Sequence, residues 1–597
     1  MKNALPSSHI AKKRAAIEAK NRFHTGGEES KEQHVVKGAM ILLAATGLVK
    51  LIGALFKIPL TNLLGGEGMG YFSTAYGLFN PMYAVSVAGF PVALSKLVSQ
   101  YRAEGRIADL HRTYCLSWIL FSVVGILGTA AIYFLAGPFC SFTGNPQAFW
   151  SVRMIAPALL FGCMMSVYRG YYQGMGNMNP TAFSQLVEAL TKLLCGIGAV
   201  LVVRQIGMEQ FSHTGTVFGL PASSYQEAQE LLAPFCSAGA VAGVSISTLA
   251  GTLFLICYHL FTGRRGRYRV RPQQPPRSYR NLGRSLAEIA VPVCLGAVAV
   301  NLTGVVDLFT VMNGLERAIS TAPQQVLEHL PAICAQTANA EMLPNFLYGS
   351  YQGLAVNLYT LLPAITASFG VSSLPSISGS FAKGDAAAVC RQVNMVLNMT
   401  LLFALPAGLG LSVLSEPILT LLYPGRGAEV AVAAPLLSQL GVAAIFVAVS
   451  MPVNSMLQAI GKAKLPVKLM LWGAGFKLAL NLLLIPNPAL HINGAPWGSL
   501  ACYLLLAVAG LRVLFQTTGA RPQWKKWGKL LAASLGCAGC AKGGYWLLSG
   551  VCSPSFSTVV SILIAAGVYL CLLQLFGMFS QKELGRFLFK GKNPKKT

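Results

Sequence analysis

The chain has 597 residues, 54% hydrophobic and only 11% charged, with 46 Lys and Arg against 20 Asp and Glu. A soluble domain carries about 25% charged residues, so a disordered, fibrous or ordinary cytosolic protein is excluded. A net charge of +26 would suit a nucleic-acid binder, but the cations sit in short segments between long apolar runs; that pattern reads as membrane topology.

Taken in order, residues 1–36 are polar and form an expected cytoplasmic tail, not a signal peptide. Span one, 37–60, is read as an uncleaved anchor. Spans two to six are predicted at 72–95, 114–136, 150–172, 182–203 and 234–261. The loop 263–285 carries eight arginines and three prolines, and reads as a linker. Spans seven to twelve follow at 286–309, 350–377, 392–414, 431–459, 466–485 and 496–515, and spans thirteen and fourteen at 528–549 and 556–577. A basic tail, 578–597, ends the chain. Runs of this length cross a bilayer as helices. Counting helix-end cations, the segments facing one side and their flanks carry 37 of the 46 Lys and Arg, against Arg153, Arg204, Arg317 and Arg426 on the other side and Lys50, Lys57, Lys192, Lys477 and Lys542 within spans. The positive-inside rule puts both termini in the cytoplasm and favours an even number of spans.

The expected fold is therefore an all-α polytopic membrane protein of fourteen transmembrane helices. It has an N-lobe, 37–262, a C-lobe, 286–515, and two C-terminal helices within 516–577. The two six-span lobes are read as pseudo-symmetric about an axis along the membrane normal. Span four runs out through Gln173 to Gly176, with Lys192 in span five; span ten runs out through Gln458 to Gly461, with Lys477 in span eleven. Gln to Gly is three residues and Gln to Lys nineteen in both. The repeat predicts that Lys192 and Lys477 approach one central cleft.

Ionisable side chains at bilayer depth are costly and usually face a cavity. Lys50 and Lys57 stand two turns apart on one face of span one, with Gly53 leaving room between them, and Pro59 is expected to weaken the helix beyond. Snorkelling explains Lys57 better than Lys50. Glu188 and Lys192 make an i,i+4 pair in span five, either self-neutralising or turned to the cleft. Lys477 has Asn481 four residues on. Asn301 and Asp307 lie in span seven. Asp307 has three readings: a coupling site for Na+ or H+, a partner for Lys50 or Lys57, or an interfacial carboxylate. The substrate-binding candidates are thus Lys50, Gly53, Lys57, Lys192, Lys477 and Asn481, and the coupling-ion candidates Asp307, Asn301 and Glu188. Their balance is cationic, which suits phosphate and opposes a cationic drug. The fourteen cysteines are scattered with no Cys/His metal spacing, and His329 and His491 read as solvated loop residues. No catalytic dyad, metal set, cofactor motif or P-loop is expected.

Several strings resemble the stage V sporulation protein B group, similar to the MurJ-type lipid II flippases of the multidrug/oligosaccharidyl-lipid/polysaccharide exporter superfamily. They are Val49 to Thr61 followed by Gly65 to Gly70, Gly89 to Val98, Phe381 to Asp385, and Lys477 to Pro486 followed by Ile492 to Ala495. The resemblance implies a fourteen-helix transporter of the bacterial cytoplasmic membrane. It would flip undecaprenyl-diphosphate-linked oligosaccharide by alternating access, with peptidoglycan precursor as the expected cargo. It would act as a monomer, with cell-wall synthesis proteins as candidate partners. It assigns Lys50 and Lys57 to the central cavity and Asp307 to the span-seven carboxylate. Gly379 stands where the group often has Glu, and the loops 204–233 and 310–349 are long for it. The rival readings are a drug/cation antiporter of the same superfamily and a polyprenyl-dependent membrane glycosyl- or phosphotransferase.

Overall fold

The computed structural model describes residues 8–263, 275, 277–330 and 342–578, with side chains from Ala45 onward except at 87–88, 263 and 299–300. Most of the arginine-rich stretch of the linker, Cys334 and the basic tail from 579 lie outside the described residues.

Lipid offers the backbone no hydrogen-bond partner, so an open membrane chain must satisfy itself as helices. Among the described residues the chain does so almost throughout; one hairpin, Thr216–Val217 against Leu220–Pro221, is the exception. All the predicted spans fall on helical backbone to within two residues. Twelve helices among the described residues are long and apolar enough to cross a membrane. Span one and the first part of span two share the helix Ser8–Ala84, and span two continues through Val85–Gly89 into Phe90–Ala103; Trp524–Ser549 is not among the twelve. The helix Ser8–Ala84 runs through Pro59 and breaks at Gly65, where φ is +67° and ψ −173°. The interruption therefore comes six residues later than Pro59 suggests, at a glycine able to take a positive φ.

The segments expected as long loops are largely helix. Span five continues to Thr214 and span six starts at Tyr225, leaving only the hairpin, whose turn uses positive φ at Phe218 and Gly219. Span seven continues to Thr321, and a short helix, Pro323–His329, follows. His491 is not a solvated loop residue: it is 1% exposed, whereas His329 is exposed as expected.

Two large cores organise the bundle. One joins Phe56, Tyr71, Phe79, Ile155, Val200 and Val241 from spans one to six. The other joins Leu308, Tyr351, Leu437, Leu440 and Tyr503 from spans seven, eight, ten and twelve. Span seven is shared: Leu282, Leu286 and Ala290 pack with Leu94, Leu110 and Phe121 of spans two and three, while Leu308 and Val311 join the second core. Spans thirteen and fourteen pack through Leu530, Cys537, Ala565 and Tyr569 onto Leu405 of span nine. Without a hydrophobic drive between helices in lipid, close approach at small residues holds such contacts. Gly349 lies against the backbone of Gly66 and Gly70, so tightly that a methyl group would overlap the Gly66 carbonyl oxygen.

Candidate functional site

The seam between span one and span eight carries two of the predicted lysines. Lys50 donates to the Ala364 carbonyl at 3.2 Å and is otherwise exposed. Lys57 donates to Asn357 Oδ1 at 2.6 Å. Ala364 and Asn357 stand seven residues apart, as do Lys50 and Lys57, so both lysines reach the same helix from one face. Asn357 follows a π-helical turn, Tyr351–Val356, and donates to the Gly353 carbonyl within it. Such turns shift the helical register and often mark functional positions. A Cβ at Gly53 would meet nothing within 4 Å, so the space predicted between the lysines is present. Leu48, Leu51 and Leu55 are exposed, as residues meeting lipid are.

Lys192 joins this group from span five. Its ammonium lies over Phe56, the neighbour of Lys57 in span one, at 5.1 Å and over Tyr76 at 5.0 Å. Aromatic faces hold a cation by about 0.5–2 kcal/mol without neutralising it. The expected neutralising partner, Glu188, is engaged elsewhere: it pairs with Arg169 at 3.0 Å and accepts from Tyr83 Oη at 3.1 Å. Arg169, 5% exposed, also donates to Ser184. The sequence alone does not reveal this pairing, because position along the span does not show which neighbouring helix a side chain meets.

Lys477 is placed differently from the repeat's expectation. It is 2% exposed, and its ammonium sits 2.6 Å from Asp307 Oδ2 and 3.4 Å from the Thr303 carbonyl. Asn481 donates to Asp307 Oδ1 at 3.1 Å and to Thr310 Oγ1 at 2.8 Å. Lys477 and Asn481 therefore close a buried pair between spans seven and eleven and do not line an open cleft with Lys192. Asp307 takes as partner a lysine outside its three readings, Lys477. Asn301 turns back to the Ala297 carbonyl.

A further set of residues, missed from the sequence, binds the break at Gly65. Arg426 donates to the carbonyls of Asn62, at 2.6 Å, and Leu63, capping the end of span one. Glu429 accepts from the Gly66 N–H at 3.1 Å, capping the start of span two, and pairs with Arg426 at 3.4 Å. A broken helix leaves unmatched carbonyls and N–H groups on either side; one Arg–Glu pair from span ten answers both. Asn345 donates to the Glu67 carbonyl at 2.9 Å and accepts from Asn145 at 2.8 Å. These contacts shut the seam at its Gly65 end. The available signal was Arg426 itself, one of the four cations expected opposite the basic segments.

Among the described residues no group of three His, Cys, Asp or Glu side chains is arranged to hold a metal. Cys552 is a free thiol.

Two family models match the chain: "Polysaccharide biosynthesis protein" over residues 35–210 and "Lipid II flippase MurJ" over residues 349–567. The chain is 23% identical to Lipid II flippase MurJ of Bacillus subtilis over 586 residues, covering 93% of this chain and 97% of that one. It is 22% identical to Stage V sporulation protein B of the same organism over 568 residues, covering 94% and 99%. A solved structure of lipid II flippase MurJ in an inward closed conformation matches the fold with a TM-score of 0.62 at 15% identity, covering 90% of this chain and 99% of that one. Over nearly its whole length the chain is thus similar to lipid II flippase MurJ and to stage V sporulation protein B, and it shares the fold of the solved MurJ structure.

Proposed function

We propose that this chain is a flippase carrying a diphosphate-linked oligosaccharide on a polyprenyl lipid, with peptidoglycan precursor lipid II as its cargo. In this reading fourteen helices form two six-helix lobes plus a C-terminal pair, and both termini are cytoplasmic. The seam between spans one and eight is then the inter-lobe cleft, and its Gly65 end faces outward. The observation that carries the reading is the group Lys50, Lys57 and Lys192, which converges beside the seam with no carboxylate paired to any of the three in the contacts described.

An unpaired diphosphate cannot enter about 30 Å of hydrocarbon. Ammoniums held by a carbonyl, an amide and two aromatic faces keep charge available for such an anion. The lipid tail can remain in the bilayer while the head group crosses. The drug/cation antiporter reading needs free carboxylates in the cleft, and both deep carboxylates singled out from the sequence, Glu188 and Asp307, already hold cations of the protein.

The test is reconstitution into liposomes with a fluorescent lipid-linked oligosaccharide, following loss of signal to a membrane-impermeant quencher. Protein-dependent exposure of the label is expected, and Lys50→Ala should reduce it severely. Normal exposure by both Lys50→Ala and Lys57→Ala would remove the cationic-seam mechanism.

A further inference from the structure

We propose that Lys477 is a resident cation: its ammonium fills an oxygen cage between spans seven and eleven that would otherwise admit a monovalent metal ion, so this chain does not couple to an Na+ gradient through Asp307.

The cage is built from oxygen donors. Asp307 supplies both carboxylate oxygens, Thr303 a backbone carbonyl and Thr310 a hydroxyl, and the Asn481 amide N–H groups hold Asp307 and Thr310 in place. Hard cations without ligand-field preference take such donors. All four residues are buried, at 7%, 6%, 5% and 0% exposure in that order. Tyr503 lies 3.3 Å from the Thr303 hydroxyl and closes the side toward span twelve. The Asn481 amide oxygen has no hydrogen-bond partner and faces the bare backbone of Gly498, where a methyl group would collide with it. A buried acceptor left without a donor is uncommon and calls for a cause. Here the amide is fixed by its two N–H bonds to Asp307 and Thr310, which turn its oxygen away from them.

A fixed carboxylate inside a protein needs a positive charge, and a transporter can take one from solution or from its own chain. In this chain the lysine side chain brings it along span eleven to 2.6 Å from the carboxylate. A metal ion entering the same cage would meet the ammonium at contact distance in a low-dielectric interior, where like charges repel strongly. The cage is therefore already satisfied in charge and in space. The lysine is tied covalently to span eleven, so its charge cannot be exchanged between the two faces of the membrane. The binding half of the proposal stands on this geometry alone; the coupling half rests on the flippase reading.

Two arms test it. In the first, full-length protein in detergent is melted in NaCl, KCl and choline chloride at equal ionic strength. The natural protein should melt at one temperature in all three. Lys477→Ala should melt lower in choline and recover several degrees in NaCl or KCl. Ethylammonium, which replaces the severed end of the side chain, should restore it similarly. Lys477→Ala combined with Asp307→Asn should lose that recovery. A specific Na+ shift in the natural protein that Asp307→Asn abolishes overturns the proposal, as does a folded Lys477→Ala protein indifferent to all three cations. The second arm needs no variant: liposome flipping by the natural protein should proceed at equal rates with an imposed Na+ gradient and with choline. A tenfold stimulation by the Na+ gradient overturns the coupling half. Absence of flipping under both conditions counts against the flippase reading, while the melting results still decide whether Lys477 fills the cage.

Discussion

Replacing Gly349 by alanine should unseat the contact between spans two and eight and shift the transporter toward a state open at its Gly65 end. The added methyl group would overlap the Gly66 carbonyl oxygen and stand 2.5 Å from the Gly70 nitrogen, against an ordinary contact beginning near 3.4 Å. Both obstacles are backbone, so neither can turn aside. The start of span eight must retreat by about an ångström, and this strains the two bonds from Asn345 to the Glu67 carbonyl at 2.9 Å and from Asn145 to Asn345 at 2.8 Å. Overpacking costs about 1–3 kcal/mol and each hydrogen bond contributes about 1 kcal/mol net, so the closed seam loses roughly 3–5 kcal/mol. Since about 1.4 kcal/mol is tenfold in an equilibrium, the open state should gain by more than a hundredfold. Ser350, wholly buried beside the contact, makes the reporter: Ser350→Cys should react slowly with a membrane-impermeant maleimide in the parent protein and quickly when Gly349→Ala is added. Mass spectrometry separates this site from the native thiols. Gly410→Ala in span nine, where a methyl group meets nothing within 4 Å, is the control and should change neither labelling nor melting. Equal labelling and equal melting with and without Gly349→Ala would refute the seam as a closed gate.

Other substitutions separate charge from packing. Asp307→Asn and Lys477→Met should each destabilise by about 3–5 kcal/mol, because each strands a buried charge, while Asp307→Leu with Lys477→Met should cost far less; additive losses in detergent melting would show that the pair is not coupled. Lys50→Ala should insert and accumulate at least as well as the parent, since a deep ammonium costs about 2.5–3.5 kcal/mol on insertion, yet flip poorly; Lys50→Arg should retain activity and Lys50→Glu should be worse than alanine, and the liposome assay orders them. Glu188→Gln should destabilise the protein through stranded Arg169 and leave Lys192 on its aromatic faces; a matching rescue by Arg169→Met would confirm that the pair, not Lys192, is what Glu188 serves. Arg426→Ala should raise maleimide labelling at Ser350→Cys as Gly349→Ala does, because the span-one carbonyls lose their cap; unchanged labelling would separate Arg426 from closure.

Hydropathy and residue spacing along the chain were enough for the membrane class, the placement of the apolar spans, the excess of lysines within them and the family resemblance, because in lipid a long apolar run has one hydrogen-bonded solution and strings such as that from Lys477 to Pro486 are carried along the chain. They also put Lys50 and Lys57 on one face, since helical spacing alone fixes that. The partners of the charged side chains were set by the folded bundle. Glu188 and Lys192 are spaced to pair, yet Arg169 on another helix takes the carboxylate and two rings take the ammonium. Lys192 and Lys477 occupy matching positions in the repeat, yet Asp307 on span seven captures one of them. Arg426 and Glu429 gain their role from a break far earlier in the chain, where the Gly65 backbone opens groups for them to cap. A buried charge goes to the neighbour that desolvates with it at hydrogen-bond distance, and distance between helices is a property of the folded bundle that spacing along one helix does not contain.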